Sequence, residues 1–140
     1  MIELIYYSIS SDSINDVDIS AILNTSRNFN LKNNITGCLV HHNNEFIQIL
    51  EGDEVVIKEL YAKIVIDERH HTIKLLAESN IKERHFKDWN MAYYKLSSGD
   101  MNEINKKLFY NNIIALSQFT QKPTHVIKLF WHIVAELCAN

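Results

Sequence analysis

Gln48 stands in the middle of an apolar run, Phe46-Ile47-Gln48-Ile49-Leu50. A primary amide carries donors and an acceptor, and burying it unpaired costs about 1–3 kcal/mol. Something polar must therefore face it, a side chain or a bound ligand. Few other polar or redox-capable residues share such surroundings. They are Tyr6 inside Leu4-Ile5-Tyr6-Tyr7-Ser8, Asn30 towards the end of a helical stretch, and Trp89 with Met91 near the close of the first hundred residues. A tyrosine hydroxyl on a neighbouring strand can satisfy one end of the Gln48 amide. A flat heteroaromatic ligand with alternating donors and acceptors can satisfy the other. Taken singly, each residue reads as an ordinary core tyrosine, a helix-terminal asparagine or a glutamine bonded to backbone.

The elements that must position these side chains follow from periodicity. Ile2–Ser8 is an apolar strand suited to burial on both faces. Asp16 or Asp18 is expected to cap a helix with a Val17, Ala21, Ile22 stripe running towards Asn28, and Asn33-Asn34 end it. Ile35–Val40 and Glu45–Gly52 form a hairpin around His41-His42-Asn43-Asn44. Asp53 caps a second helix, with Val55, Val56, Leu60 and Ile64 at helical spacing to about Asp67. Thr72–Ala77 and Trp89–Leu96 are the remaining strands, the latter carrying Trp89 and Met91. The order βαββαββ predicts an α+β, ferredoxin-like sheet with two helices on one face, parallel neighbours being joined by right-handed crossovers through each helix.

Ser97-Ser98-Gly99-Asp100 marks a change of composition. We place one folded unit over 1–96 and a C-terminal helical extension over 97–140, too short for a separate domain. The extension holds a weak helix over 101–112 and a second from about Thr124, entered after Pro123, with Val126, Ile127, Phe130, Ile133, Val134 and Leu137 on one stripe. That stripe is expected to cover the open sheet face or a partner chain.

Composition limits the function. The chain has 140 residues, 46% hydrophobic and 22% charged, as in an ordinary globular domain. A net charge of −3 disfavours a nucleic-acid binder that works by neutralising phosphates. Cys38 and Cys138 belong to no CxxC pair and read as small core hydrophobes in a reducing compartment. Met1-Ile2-Glu3-Leu4 enters a strand directly, and no run approaches a membrane span, so a cytoplasmic protein without a membrane partner is expected. His41-His42 and His70-His71 lack partners at metal-ligand spacing; no metal is expected, and His41 and His42 are placed in a solvent-facing turn. Ile81-Lys82-Glu83-Arg84-His85 reads as a solvated, mixed-charge connection. Neither a GxGxxG nor a Walker loop is present to cradle a diphosphate.

Taken together and in order, Leu4-Ile5-Tyr6, Ser26-Arg27, Asn30, Ile35-Thr36-Gly37, Phe46–Gly52, Asp67-Glu68-Arg69-His70, Arg84 with Phe86, and Trp89-Asn90-Met91 carry a family resemblance. Over residues 1 to about 95 the chain resembles the BLUF domain, the blue-light sensor that holds flavin between a ferredoxin-like sheet and two helices. The resemblance implies FAD as cofactor, Tyr6 as electron and proton donor, and Gln48 as the amide bridging Tyr6 and the flavin ring. It further implies that Asn30 holds the ring's polar edge and that Ile22 and Ile64 clamp its faces. Arg69 and His70, together with Lys63, are implied near the flavin tail, and Trp89 and Met91 at the switch positions. The family often has two asparagines in tandem; here the first is Phe29, which implies altered tuning or orientation rather than loss of binding. A non-catalytic photoreceptor is implied, signalling by contact to a separate downstream protein or within a homo-oligomer, with no direct nucleic-acid partner. Two other classes were weighed: a small acyl phosphate hydrolase, for which Ser8-Ile9-Ser10-Ser11 lacks glycine, and a single-strand nucleic-acid module using exposed sheet aromatics.

Overall fold

The computed structural model describes residues 1–12, 14–95 and 125–139, without the side chains of 94, 95, 138 and 139. The sequence expectations for Leu96, the boundary at 97–100, the helix over 101–112, the Pro123 entrance and the Cys138 side chain lie outside the described residues. Strand β1 (Ile2–Ser10) leads to helix α1 (Asp16–Lys32), the hairpin β2 (Thr36–His42) and β3 (Glu45–Gly52), helix α2 (Glu54–Val65), and strands β4 (His70–Asn80) and β5 (Ala92–Lys95). Helix α3 (His125–Ala139) follows. The five strands form one sheet in the order β4-β1-β3-β2-β5.

The helix caps show local chemistry at work. Asn15, rather than Asp16 or Asp18, caps α1: its side chain accepts from the Asp18 N–H at 2.9 Å, and the Asp18 carboxylate accepts from the Asn15 N–H at 3.1 Å. This reciprocal box makes Asp18 the third helical residue. The helix outruns Asn28 to Lys32 and stops where Asn34 adopts a positive φ of 55°. At α2 the expected cap holds, with the Asp53 carboxylate accepting from Val55 and Val56 N–H. The hairpin turn is only Asn43-Asn44, both at positive φ, the backbone that asparagine tolerates in a two-residue turn. His41 and His42 therefore belong to β2 and are buried, 6% and 2% exposed, not turn residues in solvent.

Two further expectations are corrected. Helices α1 and α2 do not join neighbouring strands, because β3 lies between β1 and β2, and β1 between β3 and β4; among the described strands only β2 and β5 are adjacent and parallel. Strand β5 begins at Ala92, so Trp89 and Met91 precede it rather than lie on it.

Strand alternation divides the core in two. Leu4, Tyr6, Leu39 and Leu50 face Ile19 and Leu23 of α1 and Ile57 of α2. Ile5, Cys38, Val40, Ile47 and Ile49 face the other way, against Val126, Ile127, Phe130, Trp131 and Val134 of α3. The apolar stripe of α3 thus covers the sheet face that α1 and α2 leave open. Cys38 is wholly buried there, and desolvation pushes its thiol well above the usual range.

Candidate functional site

Register brings the sequence-predicted pair together. Tyr6 of β1 lies opposite Gln48 of β3, which lies opposite Leu39 of β2. Residues directly opposite on antiparallel strands point to the same face. Accordingly the Tyr6 hydroxyl donates a hydrogen bond to Gln48 Oε1. Tyr6 is 5% exposed, and burial, with Tyr61 and Asp67 adding to it, raises its phenol well above the ordinary range, so the hydroxyl stays neutral. The other end of Gln48 is held more weakly: Nε2 donates to Met91 Sδ at 3.1 Å, and a thioether is a poor acceptor.

These groups line a cavity of about 300 Å³ between the sheet and helices α1 and α2. Ile22 of α1 and Ile64 of α2 contribute apolar walls, with Leu23, Phe29, Leu39 and Leu50. Asn30 opens onto it and is itself 2% exposed; its Nδ2 donates to the Asn90 carbonyl at 2.7 Å. Lys63, Arg69 and His70 lie around the same cavity. Arg69 is engaged by Asp67, whose carboxylate it lowers through their hydrogen bonds. His70 bridges Ser8 Oγ, at 2.8 Å, and the Ile64 carbonyl, fixing its ring across the gap between β1 and α2. Lys63 Nζ sits 5.3 Å from the centre of the Phe29 ring, so the residue that replaces the first of the expected asparagines seats a cation beside the cavity.

The structure places the two predicted switch residues on opposite sides of the sheet. Met91 lines the cavity and is 4% exposed. Trp89 does not line it; its ring packs 5.8 Å from that of Phe86, on the α3 side of the sheet. Residues that the sequence reading left aside also serve the site. Arg27 Nε donates to the Met91 carbonyl at 3.1 Å, and Asn90 Nδ2 to the Ile35 carbonyl at 3.2 Å, which fixes the backbone under Met91. Both belonged to quoted motifs, and only the strand register shows what they hold.

The walls and donors suit a flat, hydrogen-bonding heterocycle. Aliphatic side chains from two helices offer flat contact, while Asn30, Gln48 and Tyr6 offer directional polar groups along one edge. The weakly engaged Gln48 amide N–H is the donor with most to gain from a ligand acceptor.

Comparison with known proteins agrees with this chemistry. The family described as sensors of blue-light using FAD, BLUF, matches residues 1–92. The chain is 33% identical over 90 residues to photoactivated adenylate cyclase subunit beta of Euglena gracilis, a match covering 64% of this chain and 10% of that protein. The chain thus spans about a tenth of the length of the first curated relatives it matches. Among solved structures, the photo-activated state of BlsA is 31% identical with a TM-score of 0.70, covering 99% of this chain and 95% of that one. The dark state of BlrB, a BLUF protein, is 28% identical with a TM-score of 0.70, covering 96% of each.

Proposed function

The chain belongs to the BLUF family of flavin-binding blue-light sensors, and from that premise we propose how its own residues perform the sensing. The single observation that carries the reading is the chain of hydrogen bonds Tyr6–Gln48–Met91 along the wall of the cavity. Bound there, flavin supplies visible-light absorption and an excited state that draws an electron. Tyr6 is the donor, since it is buried, neutral and hydrogen-bonded to the amide that faces the ligand. Gln48 relays the proton; electron and proton then return to Tyr6, and Gln48 is left in a new tautomer or rotamer. Its grip on Met91 Sδ is weak enough to be exchanged for a new partner. Asn30 holds the polar edge of the ring, and Ile22 and Ile64 its two faces. Met91 is the switch on the cavity side, and Trp89 the one facing α3.

FAD is the flavin we propose, with Lys63 and Arg69 supplying cations for its diphosphate and His70 framing that end of the cavity. The module senses and does not turn over substrate. BLUF domains act on effectors, as the name of the Euglena cyclase shows for that protein. For this chain we propose an oligomeric, cytoplasmic sensor that signals to a separate protein, with 1–96 as the sensing unit and 97–140 as its extension. No described helix is long and apolar enough to cross a membrane. The hydrolase and nucleic-acid readings lose their ground: Ser8 and Ser10 are buried at the end of β1, and Tyr6 is enclosed rather than presented for stacking.

The test is an absorption spectrum of the purified chain before and after blue light. A flavin spectrum with a small, reversible red shift is expected. A colourless protein that takes up neither added FAD nor FMN would overturn the reading.

A further inference from the structure

The segment from Ile81 to Met91 crosses the sheet from one edge to the other. It leaves β4, and its Ile81 N–H donates to the Met1 carbonyl beside β1 at 3.0 Å. It then passes the end of β3, where the N–H groups of His85 and Phe86 donate to the two carboxylate oxygens of Glu51 at 2.6 and 2.9 Å. At β2 the Trp89 carbonyl accepts from Gly37 N–H at 3.0 Å. Finally it turns to the cavity side, where Met91 meets Gln48. Phe86 on the way packs against Phe130 and Trp131 of α3. One strap therefore touches both α3 and the amide at the centre of the site, and it is far from the solvated connection that its charges suggested.

Its fastening is ionic and buried. Glu3 and Glu51 are directly opposite on β1 and β3, and both are 0% exposed. Two carboxylates so placed repel each other unless a cation lies between them. His85 is placed to be that cation: its side chain is 2% exposed, and its Nδ1 lies 3.1 Å from Glu3 Oε2 and 3.2 Å from Glu51 Oε2. Arg84, beside it, turns away to Thr36 Oγ1, the Glu51 carbonyl and the Asn34 carbonyl. The described ionisable residues of α3, His125, Lys128, His132 and Glu136, are all exposed, and the last two pair with each other. Glu3, Glu51 and His85 have the side chains of a metal site, but Glu51 already accepts from Thr36 and from two backbone N–H groups. A proton on the imidazole adds the missing charge without displacing any of these bonds, while its Nε2 has no hydrogen-bond partner among the described residues.

We propose that Glu3, His85 and Glu51 form a one-proton clasp on this strap, and that the clasp sets how fast Gln48 returns to its dark arrangement after illumination. The proposal rests on the photoreceptor reading above. With the clasp closed, the strap holds Met91 Sδ in its dark position beside Gln48, and the returning amide must turn past a thioether that cannot give way. With His85 neutral, the two carboxylates repel, the strap loosens, and the barrier falls. His85 thus positions Met91 and takes no part in the photochemistry itself.

The experiment uses the full chain with its flavin. The red shift on illumination is recorded first, and its presence decides the photoreceptor reading. Dark recovery is then timed from about pH 7 to about pH 10, and the His85 imidazole is followed by NMR over the same range. Burial pulls the imidazole down, but the hydrogen bonds to Glu3 and Glu51 outweigh this and raise it to about 9. The imidazole should therefore stay charged at neutral pH, and recovery should quicken severalfold through the same midpoint. His85→Gln should recover at a rate independent of pH over that range. Glu3→Gln should lower the midpoint in both readouts, and it carries the comparison if His85→Gln does not fold. Recovery that is flat in the wild type despite a normal shift, or equally pH-dependent in His85→Gln, would overturn the proposal. So would an imidazole that titrates at or below its usual value of about 6.5. Absence of any shift would overturn the photoreceptor reading and with it the link to recovery, leaving the imidazole titration to decide the clasp.

Discussion

Phe130→Ala tests whether α3 is the second half of the core. Phe130 is 0% exposed, and its ring meets Phe86 edge-on at 6.2 Å and Trp131 at 4.9 Å. Truncating a buried phenylalanine costs about 3–5 kcal/mol from lost transfer energy and the cavity left behind. Each aromatic pair adds about 0.5–1.5 kcal/mol to what area alone would give, so the upper half of that range is expected. Total stability for a domain of this size is about 5–15 kcal/mol, so the variant should remain folded only marginally. The assay is urea unfolding by far-UV circular dichroism at one fixed flavin concentration, since bound ligand stabilises the folded state by mass action. A midpoint lowered by more than about 1 M is expected. His132→Ala, on the exposed face of the same helix, should stay within about 0.5 kcal/mol of wild type. If Phe130→Ala fails to fold, Phe130→Leu gives a smaller loss in the same direction. A Phe130→Ala variant no less stable than His132→Ala would refute the packing of α3 on the sheet.

Tyr6→Phe and Gln48→Leu should each retain flavin, seen as unchanged visible absorbance per protein, and lose the reversible red shift; a full photocycle in both would show that the assigned roles are wrong. Gly37→Ala would place a Cβ 2.1 Å from the Ile49 carbonyl oxygen, which is backbone and cannot swing aside. It should cost about 3 kcal/mol or more by forcing β2 from β3, and a variant with wild-type thermal stability would contradict that contact. The folded protein raises the His85 imidazole to about 9, so its contribution is complete below the unfolded value and is lost as pH rises through about 9. That loss amounts to at most about 3 kcal/mol. Unfolding free energies of wild type and His85→Gln should converge at high pH, and parallel curves would exclude the link.

The division between what the sequence disclosed and what it withheld follows the range of the interactions. Asp53 as a cap, the asparagine break after α1 and the apolar runs of β1 and β3 are local effects, each decided by a residue and its near neighbours. They were legible without any partner strand. The residues of the site were legible because their types are unusual for where they stand: an amide and a phenol in apolar strands require partners. The misreadings share a different cause. His41 and His42 looked like turn residues because the length of the turn depends on Asn43 and Asn44 both accepting positive φ, after which β2 extends by two residues into the core.

Glu3 and Glu51 show the limit most sharply. Strand β1 reads as buried on both faces, but a carboxylate is rarely buried without a partner, and none is visible in the sequence beside Glu3 or Glu51; taken alone, each suggests solvent. That inference fails because α3 and the strap cover the second face, and neither can be located until the order β4-β1-β3-β2-β5 is known. The register then makes the acids neighbours, and only a cation arriving from a segment more than thirty residues from Glu51 makes their burial tolerable. His85, read as part of a solvated run, is the residue placed to carry that charge. The photochemical pair could be found from its own chemistry, whereas the group that fastens the strap beneath Met91 exists only in the fold.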